Sequence, residues 1–426
     1  MFSTKYFVIC ILFLIPVALA DDDDDCPSKG GVQETLKKLK NDILCNYDRS
    51  FRPVLDSKTT VVVTIAIMFK FFEFTDLSNQ MQINYWLVLK WNDEYLNWKP
   101  ADYNGIPNFH IDTDSIWIPD ISIYNSADMS SSRTSMSGFS CMLRATGNIT
   151  CVIPIRHDAL CKSNVKQWPF DTQKCTVRVG SWIYSGEEVG FRLVKPSVSL
   201  GDYTPNREWE LISANASINP GVIICCPNRT YPHIDYKFNI VRHATAITTT
   251  TIIPAAIFAV ITLAAMFASW DSQERYFFCG LNLVLHLLIL ENLVWILPPN
   301  GLECPIILTY FKDSLLMAAF GILEGLFLRY ISTSSLTTSN WLTAFINMMV
   351  NCRPGQILLL SKLDPKAVAA ATGTNTEEGG DLVVNVPTPG CSKEWLILVN
   401  FIDRICFIGY ILAYIIMGAL IIPKPS

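Results

Sequence analysis

The chain has 426 residues, half of them hydrophobic and only 17% charged, with a net charge of −5. That balance argues against a simple soluble protein, and the lack of a basic stripe argues against a nucleic-acid partner. The five histidines show no metal-ligand spacing and no nucleophile or phosphate-loop motif occurs, so neither enzyme nor metal nor other cofactor is expected.

Residues 1–20 read as a signal peptide: Lys5 near the start, an apolar run, then Ala18 and Ala20 at a cleavage position. Asp21 to Asp25 form an acidic run expected in solvent. Val32, Leu36, Leu39 and Ile43 recur at helical spacing, which predicts an amphipathic helix over 31–44. From 59 to about 240 the pattern changes to short β-branched and aromatic runs, such as 60–72, 82–91 and 175–183, punctuated by Pro, Gly, Asn and Asp. Many short strands at this spacing indicate a β-sandwich. The sequons at Asn148, Asn215 and Asn228 fall in the same region and mark it as extracellular and glycosylated.

Cysteine usage divides the chain. Cys26, Cys45, Cys141, Cys151, Cys161, Cys175, Cys225 and Cys226 all precede the first long apolar run and imply a disulfide framework. Sequence does not fix the connectivity; pairing neighbours in order is the expectation. Cys279, Cys304, Cys352, Cys391 and Cys406 are expected as thiols. The ring from Cys161 to Cys175 encloses Trp168, Pro169, Phe170 and Asp171. Closing a ring of this size contributes roughly 3 kcal/mol, an aromatic before proline makes a cis peptide plausible, and the aromatics need an apolar surface, such as a membrane or a membrane-domain loop.

Four apolar segments follow, near 246–268, 276–297, 306–328 and 395–422, each long enough to cross ~30 Å of hydrocarbon. With the N-terminal domain outside, the gap before the last segment is cytosolic, and the C-terminus returns outside. The positive-inside signal in that gap, from Arg353, Lys362, Lys366 and Lys393, is faint. Its Ala/Gly/Thr/Glu-rich part is expected to be disordered, and no amphipathic helix is legible in it.

The ring with its WPFD core, followed by three clustered helices, a gap and a last helix, resembles a subunit of the pentameric Cys-loop ligand-gated ion channels. Local motifs resemble the nicotinic acetylcholine receptor branch, of invertebrate type: Trp117 to Asn125 (WIPDISIYN), Gly180 to Tyr184 (GSWIY), Asn84 to Leu87 (NYWL), and Asp403-Arg404 with Cys406 in the last segment. The resemblance implies a β-sandwich extracellular domain plus a four-helix transmembrane bundle, assembled as a pentamer around a central pore. The expected divisions are a signal peptide (1–20), a ligand-binding domain with an N-terminal helix (21–243), helices one to three (244–331), a short cytosolic segment (332–393), and a fourth helix with the C-terminus (394–426).

By motif position the ligand site comprises Tyr124, Trp182, Tyr184, Ile223, Cys225, Cys226 and Tyr231 on one subunit, with Trp86 from its neighbour. Aromatic faces carry negative quadrupole density, so such a cage suits a small amine agonist. Agonist-binding nicotinic subunits carry tyrosine where this chain has Ile223, which leaves the cage one wall short.

Glu274-Arg275 and Pro298 anchor a pore face of Glu274, Phe277, Leu281, Val284, Leu288, Glu291 and Trp295. A one-residue shift would instead present Phe278, Asn282, Leu285, Ile289 and Asn292. Rings of glutamate favour permeant cations. Glu73, Asp76, Trp168, Pro169, Phe170, Asp171 and Arg242 are the expected coupling residues, with a carboxylate beside Arg242. Glu324 and Arg404 lie at similar depth and are expected to pair, with Asp403 as the competing acid. The partners implied are an amine, identical subunits in a homopentamer, the lipid bilayer and cations; the alternative is a non-conducting ligand-binding or structural subunit.

Overall fold

The computed structural model describes residues 31–129, 134–221, 229–297, 304–333, 339–352 and 393–421. Helix α1 (Val32–Leu44) opens it and buries Leu39, while Val32 stays exposed. Ten strands follow: β1 (Val61–Thr75), β2 (Gln80–Asn92), β3 (Asn108–Asp112), β4 (Ile121–Ile123), β5 (Ser140–Arg144), β6 (Asn148–Leu160), β7 (Thr172–Ser181), β8 (Val189–Ser199), β9 (Trp209–Asn219) and β10 (His233–Arg242). They form a six-stranded sheet in the order β3-β5-β6-β2-β1-β8 and a four-stranded sheet in the order β4-β7-β10-β9.

The period-2 alternation read from the sequence is what buries one face of each sheet. In β1, Val61, Val63, Ile65, Ile67 and Phe69 point inward, and after an irregularity between Phe69 and Phe71 the inward set becomes Phe72 and Phe74. These side chains meet Phe238, Ile240 and Trp209 of the opposite sheet in one core. The sandwich is held by the disulfides Cys141–Cys151 and Cys161–Cys175, as sequential pairing anticipated. Cys26, Cys225 and Cys226, and with them the other two expected bridges, lie outside the described residues; Cys45 is exposed. Asn148 and Asn215 are exposed on β6 and β9, open to a glycan, and Asn228 is outside the described residues.

Four helices are each long and apolar enough to cross a membrane: α2 (Thr245–Phe267), α3 (Gln273–Ile296), α4 (Ile306–Ser332) and a last one, whose apolar span is Trp395–Ile421. The first turns of α2 widen to a π-helix over Thr248–Ile252, just before Pro254, which lacks an N–H for the usual ladder. Hydroxyls of Thr248, Thr249 and Thr250 donate back to the carbonyls of Ala244, Thr245 and Ala246. Ser272 caps α3 by accepting from Arg275 N, and Glu274 in the first turn suits the helix dipole.

The gap before the last crossing holds a helix that the sequence pattern does not announce, α5 (Asn340–Asn351). It buries Leu342 and Ile346, and Phe345 lies edge-on to Phe401 of the last helix, α6 (Lys393–Ile421), at 6.5 Å. Eight of its twelve residues are apolar, and only the neighbour they pack against shows which of them are covered.

The two halves meet through the ring. Trp168 and Pro169, joined by a cis peptide, are buried, and Trp168 belongs to the same apolar cluster as Phe258 of α2 and Phe311 of α4. Lys166 O accepts Ile306 N at 3.0 Å, which fixes the start of α4 against the ring.

Candidate functional site

Three strands that are neighbours in the four-stranded sheet bring the expected aromatic residues together. Tyr124 directly follows β4; its N–H donates to Arg178 O, and the Asn125 side chain ties the same turn to Leu160 O, Thr176 O and Arg178 N. Tyr124 Oη then donates to Ser181 O at 2.7 Å. Gly180 permits this approach, because a Cβ there would lie 2.5 Å from Tyr124 Oη.

Beyond β7 the chain turns around Asp120. Its carboxylate accepts from Ser181 Oγ (2.5 Å), Trp182 N (2.9 Å) and Ile183 N (2.8 Å), which presents Trp182 outward with 65% of its surface free. The indole lies edge-on to Tyr124 at 6.2 Å. Burial, with the nearby Asp120 and Tyr231, pushes the Tyr124 phenol up to about 12, so the ring stays neutral. Tyr231 is half-buried, its N–H bonded to Gly221 O. Gly221 sits at φ +57°, and a Cβ there would run into Tyr231 O. His233 closes the back of the group, its ring 5.7 Å from Tyr124.

The residues expected from the sequence do not all join this group. Tyr184 turns inward, its hydroxyl accepting from Trp117 Nε1 at 3.3 Å, and packs on the core. Ile223, Cys225 and Cys226 lie outside the described residues. Trp86 stands on β2 in the other sheet and is partly exposed. Asp120, which organises the Trp182 turn, sits inside the WIPDISIYN motif, where its acid gives no sign of that role.

At the junction with the membrane helices, Arg242 gathers three carboxylates. Its Nε is 2.8 Å from Asp171, and its two terminal nitrogens are 2.9 Å from Glu208 and 2.7 Å from Asp76. The guanidinium also lies 4.2 Å from the centre of the Trp209 ring. Burial works against the charged form, but Asp171 and Asp76 outweigh it and raise the Arg242 pKa. Gln173 holds Asp171 from the other side at 2.6 Å. The expected carboxylates Asp171 and Asp76 are thus in place; Glu208 was missed, since an acid beside a strand start carries no signal of its own. Glu73 is exposed on β1, and Phe170 is partly buried below the ring.

Along α3 the favoured register is exposed at every position: Glu274, Phe277, Leu281, Val284, Leu288, Glu291 and Trp295. In the shifted register Phe278 and Asn292 are exposed as well, but the other three positions are covered. Asn282 is fully buried, donating to Thr262 Oγ1 (2.6 Å) and Phe258 O (3.2 Å), and Leu285 and Ile289 pack into the bundle. His286 bonds Ser314 Oγ at 2.8 Å, and Ser314 in turn reaches Tyr414 Oη at 2.9 Å.

The expected Glu324–Arg404 pair is overturned. Arg275, fully buried, takes both acids: Glu324 at 3.4 Å and Asp403 in a short contact. Arg404 instead lies over Phe267, 5.6 Å from its ring centre. Depth was read correctly but direction was not: successive residues on a helix point about 100° apart, so Asp403 faces Arg275 while Arg404 faces away from it.

Comparison with known proteins agrees with this architecture. The family described as neurotransmitter-gated ion-channel ligand binding domain matches residues 36–244. The chain is 28% identical over 340 residues to the human neuronal acetylcholine receptor subunit alpha-2, covering 78% of this chain and 63% of that one. It is 26% identical over 345 residues to the Drosophila melanogaster acetylcholine receptor subunit beta-like 2 (78% and 65%), and 27% over 298 residues to the Schistocerca gregaria subunit alpha-L1 (67% and 53%). The chain therefore spans less than two thirds of the length of these relatives.

Proposed function

Because the chain belongs to the Cys-loop family of ligand-gated channel subunits, on its nicotinic acetylcholine receptor-like branch, we propose that it forms a cation-selective channel opened by a small amine bound between subunits. Trp182 and Tyr124, with Tyr231 beside them, make the principal wall, and Trp86 of the adjacent copy makes the other, so one kind of chain supplies both and a homopentamer with five sites can assemble. The protein spans the plasma membrane, with both termini outside.

One observation carries the reading: α3 leaves a full-length stripe from Glu274 to Trp295 uncovered while Arg275, Asn282 and His286 are turned into the bundle. Five such stripes make a pore with a glutamate ring at its cytosolic mouth, a second at Glu291, and a hydrophobic constriction at Leu281, Val284 and Leu288. Motion at the site reaches the pore through the ring and the Arg242 cluster, which both stand at the head of α2 and α4.

A second reading rests on Phe277 and Trp295, which are bulky on that same stripe, Trp295 being 81% exposed: five copies would close the pore, leaving a ligand-binding subunit that conducts only with others. Recording from cells expressing this chain alone, under perfusion of small amines, decides between the two. Currents whose reversal potential follows sodium on NaCl dilution support the channel; silence with intact surface pentamers supports the second reading, and anion permeation contradicts cation selectivity.

A further inference from the structure

The outer wall of the site carries a cation of its own. Lys70 Nζ lies 4.1 Å from the centre of the Trp86 ring and 2.8 Å from Asp202 Oδ2. Alternation along β1 puts Lys70 on the outward face two residues after Met68, the partner of Trp86, and a bulge begins at Lys70: Phe69 pairs with Tyr85 and Phe71 with Asn84, so Lys70 has no partner on β2 and its carbonyl accepts Thr204 N instead. The side chain thus lays an ammonium on the one aromatic that β2 offers to a neighbour.

A ligand cation seeking the Trp86 face must displace Lys70 or sit beside a like charge, and either weakens it. The Lys70 ammonium has three N–H donors, of which Asp202 engages one side from the edge of the sheet, where Asp202 itself is largely exposed. It is therefore able to receive an anionic or acceptor group. On the opposite wall, Tyr124 and Trp182 around Asp120, no cation lies over the exposed rings among the described residues, and that wall keeps its attraction for an ammonium.

Resting on the ligand site proposed above, we propose that Lys70 is a specificity-determining residue and that the site selects a zwitterionic amine, its ammonium against Trp182 and Tyr124 and its carboxylate toward Lys70, over a simple monocation. Asp202 limits this preference by offsetting part of the lysine's charge.

Choline and glycine betaine share a trimethylammonium head and differ in an alcohol against a carboxylate, so they isolate the effect. Titrating each into the purified full-length protein, followed by tryptophan fluorescence, should show tighter binding of betaine. Lys70→Met should strengthen choline and weaken betaine, each by about tenfold, which is what a single cation–aromatic interaction or a single charge partner is worth at such a site. Asp202→Asn should move the ratio the other way, and because Asp202 is exposed this variant tests the idea even if Lys70→Met folds poorly. An unchanged ratio of the two affinities in both variants overturns the role of Lys70 while leaving the site intact. Failure of both probes to bind any of the three proteins overturns the site and this inference together.

Discussion

Two arginines, Arg242 at the junction and Arg275 in the bundle, each collect more acid than their own charge balances, and the difference lies in what else can reach those acids. Around Arg242, Glu208 is more than half exposed and Asp76 partly so, while Asp171 is buried but also held by Gln173. Around Arg275, both Glu324 and Asp403 are buried, and the remaining contact of the guanidinium is to Met266 Sδ. Water and neutral donors can take over part of the first cluster when it moves; the second is closed to water, with the Cys406 thiol beside Glu324 as its neutral donor. The first is suited to a joint between domains, the second to a fixed clamp between α3, α4 and α6.

The largest effect is expected from breaking the clamp. Arg275→Gln strands two buried carboxylates and should cost about 3–5 kcal/mol, read as loss of pentamer on native gels; adding Glu324→Gln and Asp403→Asn should restore much of it. If Arg275→Gln assembles like wild type, the clamp is not structural. Arg242→Gln should cost less, about 3 kcal/mol, since Asp76 and Glu208 can turn to water, and thermal melting of the full-length protein measures it. A loss equal to that of Arg275→Gln would erase the distinction drawn between the clusters.

Arg404→Gln comes next. With Phe267 beneath the guanidinium, the loss should be about 1 kcal/mol or less, and Glu324→Gln should add to it without coupling. A double mutant less impaired than the sum would restore the pairing that the structure overturns.

The smallest effect concerns pH. Burial, with Asp76 and Asp171 nearby, raises the Glu208 pKa against the opposing pull of Arg242. A carboxyl whose folded pKa is raised holds more proton in the folded state, so its stabilising contribution is complete below the unfolded value and is lost as pH rises through the folded one. Wild type should therefore gain on Glu208→Gln as pH falls from neutral toward about 5, by a small margin because the side chain is exposed. A gain in the opposite direction would place the cluster in a different charge balance.

The aromatic site was legible to the extent that it is local. Tyr124, Trp182 and Tyr231 lie in short motifs whose strands turn out to be neighbours, and Trp182 needs only Asp120, present in the WIPDISIYN motif, to be turned outward. Tyr184 was misplaced because two residues along a turn reverse direction, and only Trp117, far back in the chain, shows which way it faces. Lys70 was not singled out because alternation gives its outward face but not the strand register that sets Trp86 beside it.

By itself the sequence determined the layers: alternation set the sandwich, run length set four crossings, and paired cysteines set the ring, since each depends on contacts within a few residues or on length alone. The tertiary structure decided which acid meets which arginine, which face of α3 is covered, where α5 finds its partner and where Lys70 lands. Arg275 and Asp403 are 128 residues apart, and Arg242 and Asp76 166 apart. A buried charge accepts any opposite charge within reach, so the choice among several acids rests on the angle at which each helix or strand presents them, and that angle is fixed only when the neighbouring elements pack.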